Sequence, residues 1–295
     1  MNFNKEVNNK IEKNIEAKTN LLSIQNEYFF QIMFDMVNKR RTLESVRYNK
    51  KLQNILNLSA KDYKDFLKII IEINIAPCHG EIFMNSVQQL RNYYHIYFDD
   101  NEEEYKECNF RVRGDVKKIK IIIDKEIISL ENLFSGCEVI ESITFKQFNR
   151  RNITNMTDMF SNCTRLKELN LTNFNTENVL SMKRMFCNCN SLKELNVSKF
   201  NTKNVIDMNN MFNSCSSLTE LDLSNFNTEK VTDMRSMFNG CKSLKKLNIS
   251  NFNFKSATGK DMMFGMFAKC PNNLVAQFKE DNRFKDESFQ DCIIF

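Results

Sequence analysis

A phrase of 26 residues, repeated five times in succession, dominates the second half of the chain. The clearest copy begins at Phe226 and reads FNTEKVTDMRSMFNGCKSLKKLNISN. Cysteine recurs at one position of every copy: Cys137, Cys163, Cys189, Cys215 and Cys241. Repetition with a period of about 20–50 residues is typical of solenoids, in which neighbouring copies stack. The repeat therefore predicts a stacked C-terminal half and favours an interaction module over an enzyme.

Each copy is predicted to contain a short strand, a turn and a short helix. In the copy around residues 218–241, Leu221 and Leu223 alternate with polar residues, which is typical of a strand with one buried face. Apolar residues then follow at the spacing of one helical face: Val231, Met234, Met237, Phe238 and Cys241. Stacking of the copies would bury both apolar faces in one continuous core.

Two polar positions mark the ends of the predicted helix. The first carries residues that are favoured as N-caps, because their side-chain oxygen accepts a backbone N–H: Ser129, Asn155, Ser181, Asp207 and Asp233. The second precedes the cysteine and carries residues that tolerate the left-handed conformation of a helix end: Gly136, Asn162, Asn188, Ser214 and Gly240. Both positions support the prediction of a helix that begins and ends inside each copy.

The consensus L-x-x-L-x-L-S-x-F-N-T-x-x-V-x-x-M-x-x-M-F-x-x-C resembles the BspA-like leucine-rich repeats, in the variant found in surface proteins of mycoplasmas and other microbes and in protist proteins. The resemblance covers about residues 119–278. It implies a leucine-rich-repeat-like solenoid that binds proteins or other macromolecules. Many relatives are surface or secreted proteins, whereas this chain begins with MNFNKEVNNKIEKNIEAK, which lacks the apolar core of a signal peptide.

The expected fold class is α/β. Residues 116–278 are predicted to form a leucine-rich-repeat-like solenoid of about six repeats with short parallel strands and short helices. Ile119, Ile121 and Ile123 indicate its first strand, and residues 274–278 indicate its last. Residues 279–295 are predicted to be a C-terminal tail or cap that folds over the open end.

A small helical domain is predicted for residues 1–76, with helices at 23–37, 42–56 and 59–71. Residues 23–56 resemble an F-box, which would bind a linker protein of a ubiquitin ligase; the alternatives are a helical cap and an unrelated bundle. Residues 77–115 are predicted to be a connector, with a strand in YYHIYF and an acidic loop after it.

Composition excludes several classes of partner and site. The net charge of +5 comes without a dense Lys/Arg stripe, so no specific nucleic-acid partner is expected. The sequence contains no run of about 18 apolar residues, so no membrane span is predicted. Cysteines at one repeat position predict reduced, buried thiols in a cytoplasmic protein. Cys187 and Cys189 lack the further ligands of a zinc site.

No catalytic constellation is apparent. His79 and His95 are the two histidines, and neither begins a known metal or triad spacing. Phosphate-binding glycine motifs and the G-x-S-x-G motif do not occur. We therefore expect a protein without enzymatic activity, bound cofactor or metal.

The predicted partner-binding residues point outward from the strands in aligned rows: Glu168, Asn170, Glu194, Asn196, Glu220, Asp222, Lys246 and Asn248. The centre of this face is acidic and the ends, at Lys146 and Lys246, are basic, which suits a polar or basic protein surface. Regular rows also arise from a repeat consensus alone, so a face that is only solvated remains open. Two alternatives to a general interaction module are the F-box-like ubiquitin-ligase adaptor and an adhesin-like surface protein exported by an uncommon route.

Overall fold

A computed structural model describes the greater part of the chain, namely residues 50, 53, 60–78, 80–85, 93–99, 101–106, 110–112, 114–254, 263–279, 281 and 283. The predicted helix at 23–37 and nearly all of the F-box-like segment lie outside the described residues, as does most of the tail. The described part is a mixed α/β structure with most of its strands in sheets and few helices. The boundaries of the four predicted regions stay predictions.

Two compact units make up the chain, Met1–Phe66 and Leu67–Phe295. In the first unit, helix α1 spans Ala60–Phe66, with Asp62 in its first turn and Lys64 in its last turn. This order of charges complements the partial charges at the two helix ends. The helix predicted over residues 59–71 is therefore confirmed only as far as Phe66.

The second unit contains a five-stranded sheet with the order β2-β3-β1-β4-β5. Its strands are β1 Ile69–Ile75, β2 Tyr94–Phe98, β3 Lys118–Ile123, β4 Ile140–Phe148 and β5 Glu168–Asn170. The first four strands pair antiparallel, whereas β5 pairs parallel with β4. Strand β4 thus joins an antiparallel sheet to the repeated part of the chain.

Strand β1 replaces the last three residues of the helix predicted over 59–71. Ile69, Ile71, Ile73 and Ile75 are buried, and the residues between them are more exposed. β-branched side chains fit a pleated surface well, and alternation with period two buries one face. The helix prediction is wrong here, because a short isoleucine run fits a buried strand as well as a helix.

The other strand predictions before the repeats are confirmed, with one difference in pairing. YYHIYF contains β2, and Ile119, Ile121 and Ile123 are the buried residues of β3. Strand β3 pairs antiparallel with both β1 and β2. It therefore belongs to the antiparallel sheet and is not the first parallel strand of the repeats.

Copies 1 to 5 of the repeat start at 26-residue intervals: Ile122, Phe148, Phe174, Phe200 and Phe226. Strands β6 Glu220–Asp222 and β7 Lys246–Asn248 come from copies 4 and 5 and pair parallel. A second line of parallel bridges joins one polar residue of each copy to the next: Ser129, Asn155, Ser181, Asp207 and Asp233. The bridge line therefore joins all five copies by hydrogen bonds, and the strand line adds parallel pairing between copies 1 and 2 and between copies 4 and 5.

The helix predicted in each copy is wrong. In copy 4 the N–H groups of Met211 and Cys215 donate to the carbonyls three residues earlier, Met208 and Phe212, at 3.2 and 3.1 Å. The Met208 and Phe212 N–H groups donate instead to copy 5, both at 2.9 Å. Consecutive β-turns thus replace the helix, and alternate N–H groups bond to the neighbouring copy.

Positive φ angles explain why no helix forms. The third residue of each turn has a φ between 53° and 74° in copies 1 to 5, as in type II turns: Asn132, Gly136, Asp158, Asn162, Arg184, Asn188, Asn210, Ser214, Ser236 and Gly240. The left-handed conformation predicted for the residue before each cysteine is confirmed. The predicted N-cap residues do accept a backbone N–H two residues later, as in Asp207 with Asn209 at 2.8 Å, but they open a turn.

The core between copies is built from aligned rows of identical side chains. One phenylalanine of every copy stacks on the next, with nearly parallel rings 5.5–5.9 Å apart: Phe134, Phe160, Phe186, Phe212 and Phe238. Three buried threonines form a polar row beside the core. The Thr202 hydroxyl donates to the Asn227 carbonyl at 2.9 Å and accepts the Asn227 N–H at 2.8 Å. Apolar rows therefore run through all five copies, and the threonines of copies 3 to 5 add polar contacts to the following residues.

Helix α2, Asn272–Lys279, follows the last copy, where the sequence predicted a strand at residues 274–278. Its buried residues Leu274, Val275 and Phe278 lie on one helical face, and the Phe278 ring stacks on Phe267 at 4.8 Å. The strand prediction is wrong, because an apolar run this short does not distinguish the two elements. In the tail, the Arg283 guanidinium donates to the Ile249 carbonyl of copy 5 at 2.8 Å.

Candidate functional site

The strand face consists of the residues on the outer side of the repeat strands. In β6 and β7 the middle leucines, Leu221 and Leu247, are 3% and 9% exposed, while the residues on either side of each are exposed. All of the predicted partner-binding residues lie on this face and are exposed: Glu168, Asn170, Glu194, Asn196, Glu220, Asp222, Lys246 and Asn248. The structure therefore places them together in rows, although no bound partner tests their role.

Ion pairs change the charge pattern that the sequence indicated for this face. The Lys246 Nζ lies 2.7 Å from Glu220 Oε1, and the Lys146 Nζ lies 3.2 Å from Glu72 Oε2 on β1. Both basic ends of the face are thus paired with carboxylates. Asp222 accepts the Ser224 N–H, whereas the Glu168 and Glu194 side chains make no ion pair or hydrogen bond among the described residues and are therefore open to a partner.

The amide and carboxylate residues of the face also have a local structural role. Asn170 Oδ1, Asn196 Oδ1 and Asp222 Oδ1 each accept the backbone N–H two residues later, at 3.0, 3.0 and 2.9 Å. The bond from the Ser224 N–H lowers the pKa of Asp222. These side chains form the turn that ends each strand. Substitutions at these positions therefore alter the backbone as well as the surface.

The parallel pairing of the strands is interrupted in copy 3. Residues 194–196 have no strand assignment, although their equivalents in copies 2, 4 and 5 do. Among the described residues, no backbone hydrogen bond joins residues 168–172 to residues 194–198. Copies 3 and 4 share one backbone bond in this region, from the Thr219 N–H to the Lys193 carbonyl at 3.2 Å.

A cleft of about 310 Å³ opens where copies 2 and 3 are unpaired. We call it the junction cleft, and these residues line it: Glu168, Leu169, Asn170, Leu171, Thr172, Asn196, Ser198 and Lys199. Three predicted partner-binding residues, Glu168, Asn170 and Asn196, lie in this cleft. Glu194, Glu220, Asp222, Lys246 and Asn248 lie elsewhere on the strand face.

Lys199 lies at the opening and distinguishes copy 3 from the other copies. It is the last residue of copy 3, and the last residue of every other copy has a carboxamide side chain: Gln147, Asn173, Asn225 and Asn251. Asn173 Nδ2 donates to the Phe145 and Lys146 carbonyls of copy 1 at 3.2 and 3.1 Å. The carboxamides of the other three copies also donate to backbone carbonyls. A lysine at this position leaves copy 3 without that connection to copy 2.

Sequence reasoning placed Thr172 and Ser198 in the outward-pointing rows but missed Lys199. The signal was available, because one lysine interrupts a column of carboxamides spaced 26 residues apart. The hydrogen bonds from this column to the preceding copy are not visible in the sequence.

Other groups with potential chemistry are held in structural contacts. His95 Nδ1 lies 2.9 Å from Glu104 Oε1, and its Nε2 lies 3.2 Å from Asp124 Oδ2. The Cys189 thiol donates to the Phe160 carbonyl at 3.2 Å, and the other cysteines of copies 2 to 5 make the same contact. Burial raises the pKa of the Cys189 thiol well above its usual value, so the unreactive neutral form prevails.

The described residues contain no cluster of three or more His, Cys, Asp or Glu side chains that could bind a metal ion. Within the same part of the chain, no helix combines the length and the apolar character needed to cross a membrane. The strand face and its junction cleft are therefore the candidate site that the geometry supports best.

Comparison with known proteins identifies the repeats. No curated protein and no solved structure matches the chain. A family model described as "Mycoplasma protein of unknown function, DUF285" matches residues 128–220 and 166–278. Together the two matches run from residue 128 to residue 278, more than half of the 295 residues. The chain therefore belongs to the DUF285 family.

Proposed function

We propose that this protein is a non-enzymatic interaction module that binds a protein partner through the strand face. Its copies would form a leucine-rich-repeat-like solenoid of the BspA-like type, in which the core holds the fold and the strand face is available for binding. The observation that carries the proposal is the exposure of aligned polar residues beside leucines that are almost fully buried. Rows of exposed side chains on a regular scaffold are the usual binding surface of repeat proteins.

The available charge of the face supports a partner with basic or hydrogen-bond-donating groups. Glu168 and Glu194 lie on copies 2 and 3 and form no ion pair among the described residues. Complementary charge at such positions mainly raises the association rate and the specificity. The F-box-like adaptor stays a prediction from the sequence, because residues 23–56 lie almost entirely outside the described residues.

Charge reversal of the two open carboxylates tests the proposal. The variant Glu168→Lys/Glu194→Lys should keep its melting temperature, since exposed substitutions usually change stability by about 0.5 kcal/mol or less. It should recover less of the specific partners when tagged protein is used for affinity purification from native cells. Recovery should be measured by quantitative mass spectrometry at low and moderate salt, because screening weakens exposed charge pairs.

The matched control is Glu138→Lys/Glu103→Lys, which makes the same charge change at exposed residues off the strand face. Partners that are lost equally from both variants respond to net charge and do not support the proposal. If both variants recover the same partners in the same amounts as the unchanged protein, the strand face is not the binding surface.

A further inference from the structure

A carboxamide donates to at least one of two successive backbone carbonyls where copies 1 and 2, 3 and 4, and 4 and 5 meet, whereas neither of the equivalent carbonyls in the junction cleft receives such a bond. The Val197 carbonyl of copy 3 accepts two bonds, from the Phe200 N–H at 2.9 Å and from Asn225 Nδ2 at 3.1 Å. At the same position of copy 2, the Leu171 carbonyl accepts only the Phe174 N–H, at 2.9 Å. The Thr172 carbonyl accepts no bond from the described residues.

The chemistry of the missing donor is known from the other copies. A primary carboxamide donates to the carbonyls of Phe145 and Lys146, which precede Leu171 and Thr172 by 26 residues. Lys199 occupies the carboxamide position in copy 3 and makes no hydrogen bond or ion pair with the described residues. The cleft thus has both the space and the acceptors for a carboxamide, but copy 3 has no carboxamide side chain at this position.

The charges around the cleft favour a neutral donor. The carbonyl oxygens and the Glu168 carboxylate disfavour an anion, and the Lys199 ammonium group disfavours a cation. One carboxylate and one ammonium give the lining a net charge of zero. A neutral amide satisfies the acceptors without placing a like charge beside either group.

We propose that the junction cleft binds a primary carboxamide, supplied by an asparagine or glutamine side chain on an extended segment of the protein partner. This inference rests on the proposed function and adds the chemistry that the cleft recognises. The partner's carboxamide takes the place of the asparagine that copy 3 lacks and donates to the Leu171 and Thr172 carbonyls. An amide site of this kind discriminates against side chains without an N–H donor, because they make no hydrogen bond to either carbonyl.

Titration with small probes tests the cleft without a partner. The probes are the N-acetyl, N-methylamide derivatives of asparagine, aspartate, lysine and leucine, added to the full-length protein labelled with nitrogen-15. The asparagine derivative should shift the backbone amide resonances of Leu171, Thr172, Asn196 and Lys199 in a saturable manner. The aspartate and leucine derivatives should bind more weakly by roughly tenfold, which is the loss expected for about 1.4 kcal/mol of hydrogen bonding. The lysine derivative should also bind more weakly, because the Lys199 ammonium group repels it.

Lys199→Asn is the decisive variant, because it restores the missing donor and should close the cleft. It should reduce binding of the asparagine derivative by roughly tenfold or more and slow hydrogen exchange at the Leu171 amide. Lys203→Asn makes the same change at an exposed residue outside the cleft and should leave binding unchanged. Equal effects of the two variants, or unchanged binding to Lys199→Asn, would overturn the proposal.

One further outcome of the probe titration bears on the charge of the ligand. If the lysine derivative binds best, Glu168 determines the specificity and the inference of a neutral ligand is wrong. The probe titration succeeds or fails independently of affinity purification, so failure of the carboxamide site is distinguishable from failure of the strand face as a binding surface.

Discussion

Removal of a single buried hydroxyl, by Thr202→Val, should measure how strongly the polar row of threonines holds neighbouring copies together. Thr202 is 1% exposed, and its hydroxyl makes two hydrogen bonds with the backbone of Asn227 in the next copy. Valine keeps nearly the same shape, so the change removes these bonds without opening a cavity. The perturbation therefore isolates the polar contribution of one side chain to the contact between copies 4 and 5.

The expected cost follows from the two bonds. Each hydrogen bond contributes about 0.5–1.5 kcal/mol net, and a donor or acceptor left unpaired in a partly buried place adds to the loss. We expect Thr202→Val to lower the free energy of unfolding by about 2 kcal/mol. Thr202→Ser keeps the hydroxyl and removes one methyl group, so it should cost about 0.8 kcal/mol.

Urea unfolding followed by circular dichroism measures these differences, and hydrogen exchange of the Asn227 amide locates them. Thr172→Val is the matched control, because Thr172 is exposed and its hydroxyl bonds to the side chain of Asn170. A loss for Thr202→Val that does not exceed the loss for Thr172→Val would refute the reasoning. The same conclusion would follow if Thr202→Ser were as destabilising as Thr202→Val.

Three other changes test the packing, the turns and the thiols. Leu221→Ala should cost about 2–5 kcal/mol in urea unfolding and increase hydrogen exchange in copies 3 and 5 as well as copy 4; an effect confined to copy 4 would contradict cooperative stacking. Gly240→Ala should cost more than Gly136→Ala in the same assay, because both have positive φ but an added Cβ meets Ser214 Oγ at 3.1 Å only at position 240; equal costs would contradict this account. Burial raises the pKa of the Cys215 thiol above 9.0, so the neutral thiol's contribution to stability should be complete below pH 9 and decrease at higher pH. Above pH 9 the unfolding free energy of the unchanged protein should fall more steeply with pH than that of Cys215→Ala, and the two slopes should differ by about 1.4 kcal/mol per pH unit. Identical slopes would show that the thiol is not protected.

Properties that depend on one residue and its nearest neighbours were predictable from the sequence. Asn162 and Asn188 have left-handed backbones because a short polar side chain tolerates that conformation, and the glycine at position 240 does so for lack of a Cβ. Burial of the central leucines and exposure of the residues beside them follow from alternation with period two. These features need no knowledge of the neighbouring copy.

The helix of each copy was wrongly predicted because two structures share one apolar spacing. In copy 4, Met208, Met211, Phe212 and Cys215 lie at offsets of 0, 3, 4 and 7, which is the pattern of a helical face. A series of four-residue turns places its first and fourth residues inward and produces the same offsets. Hydrogen bonds to the next copy decide between the two, and the sequence of one copy does not contain them.

The junction cleft was not predicted, for a related reason. The rows of exposed residues were visible, but the junction cleft depends on the one column of carboxamides that Lys199 interrupts. The importance of that column becomes apparent only when Asn173 and Asn225 are seen to donate to the carbonyls of the preceding copy. A departure from a repeat consensus therefore carries more information than the consensus itself.

The opening at Lys199 does not weaken the rest of the contact between copies 2 and 3. On the opposite line of bridges, the Met156 N–H still donates to the Ser181 carbonyl at 3.0 Å. The Phe160 and Phe186 rings remain stacked at 5.6 Å. Because the other neighbouring copies make the same contacts, the loss of pairing between copies 2 and 3 is confined to the strand edge. Lys199→Asn should accordingly change access to the cleft while it leaves the stacked core unchanged, so that any effect on binding reports on the cleft itself.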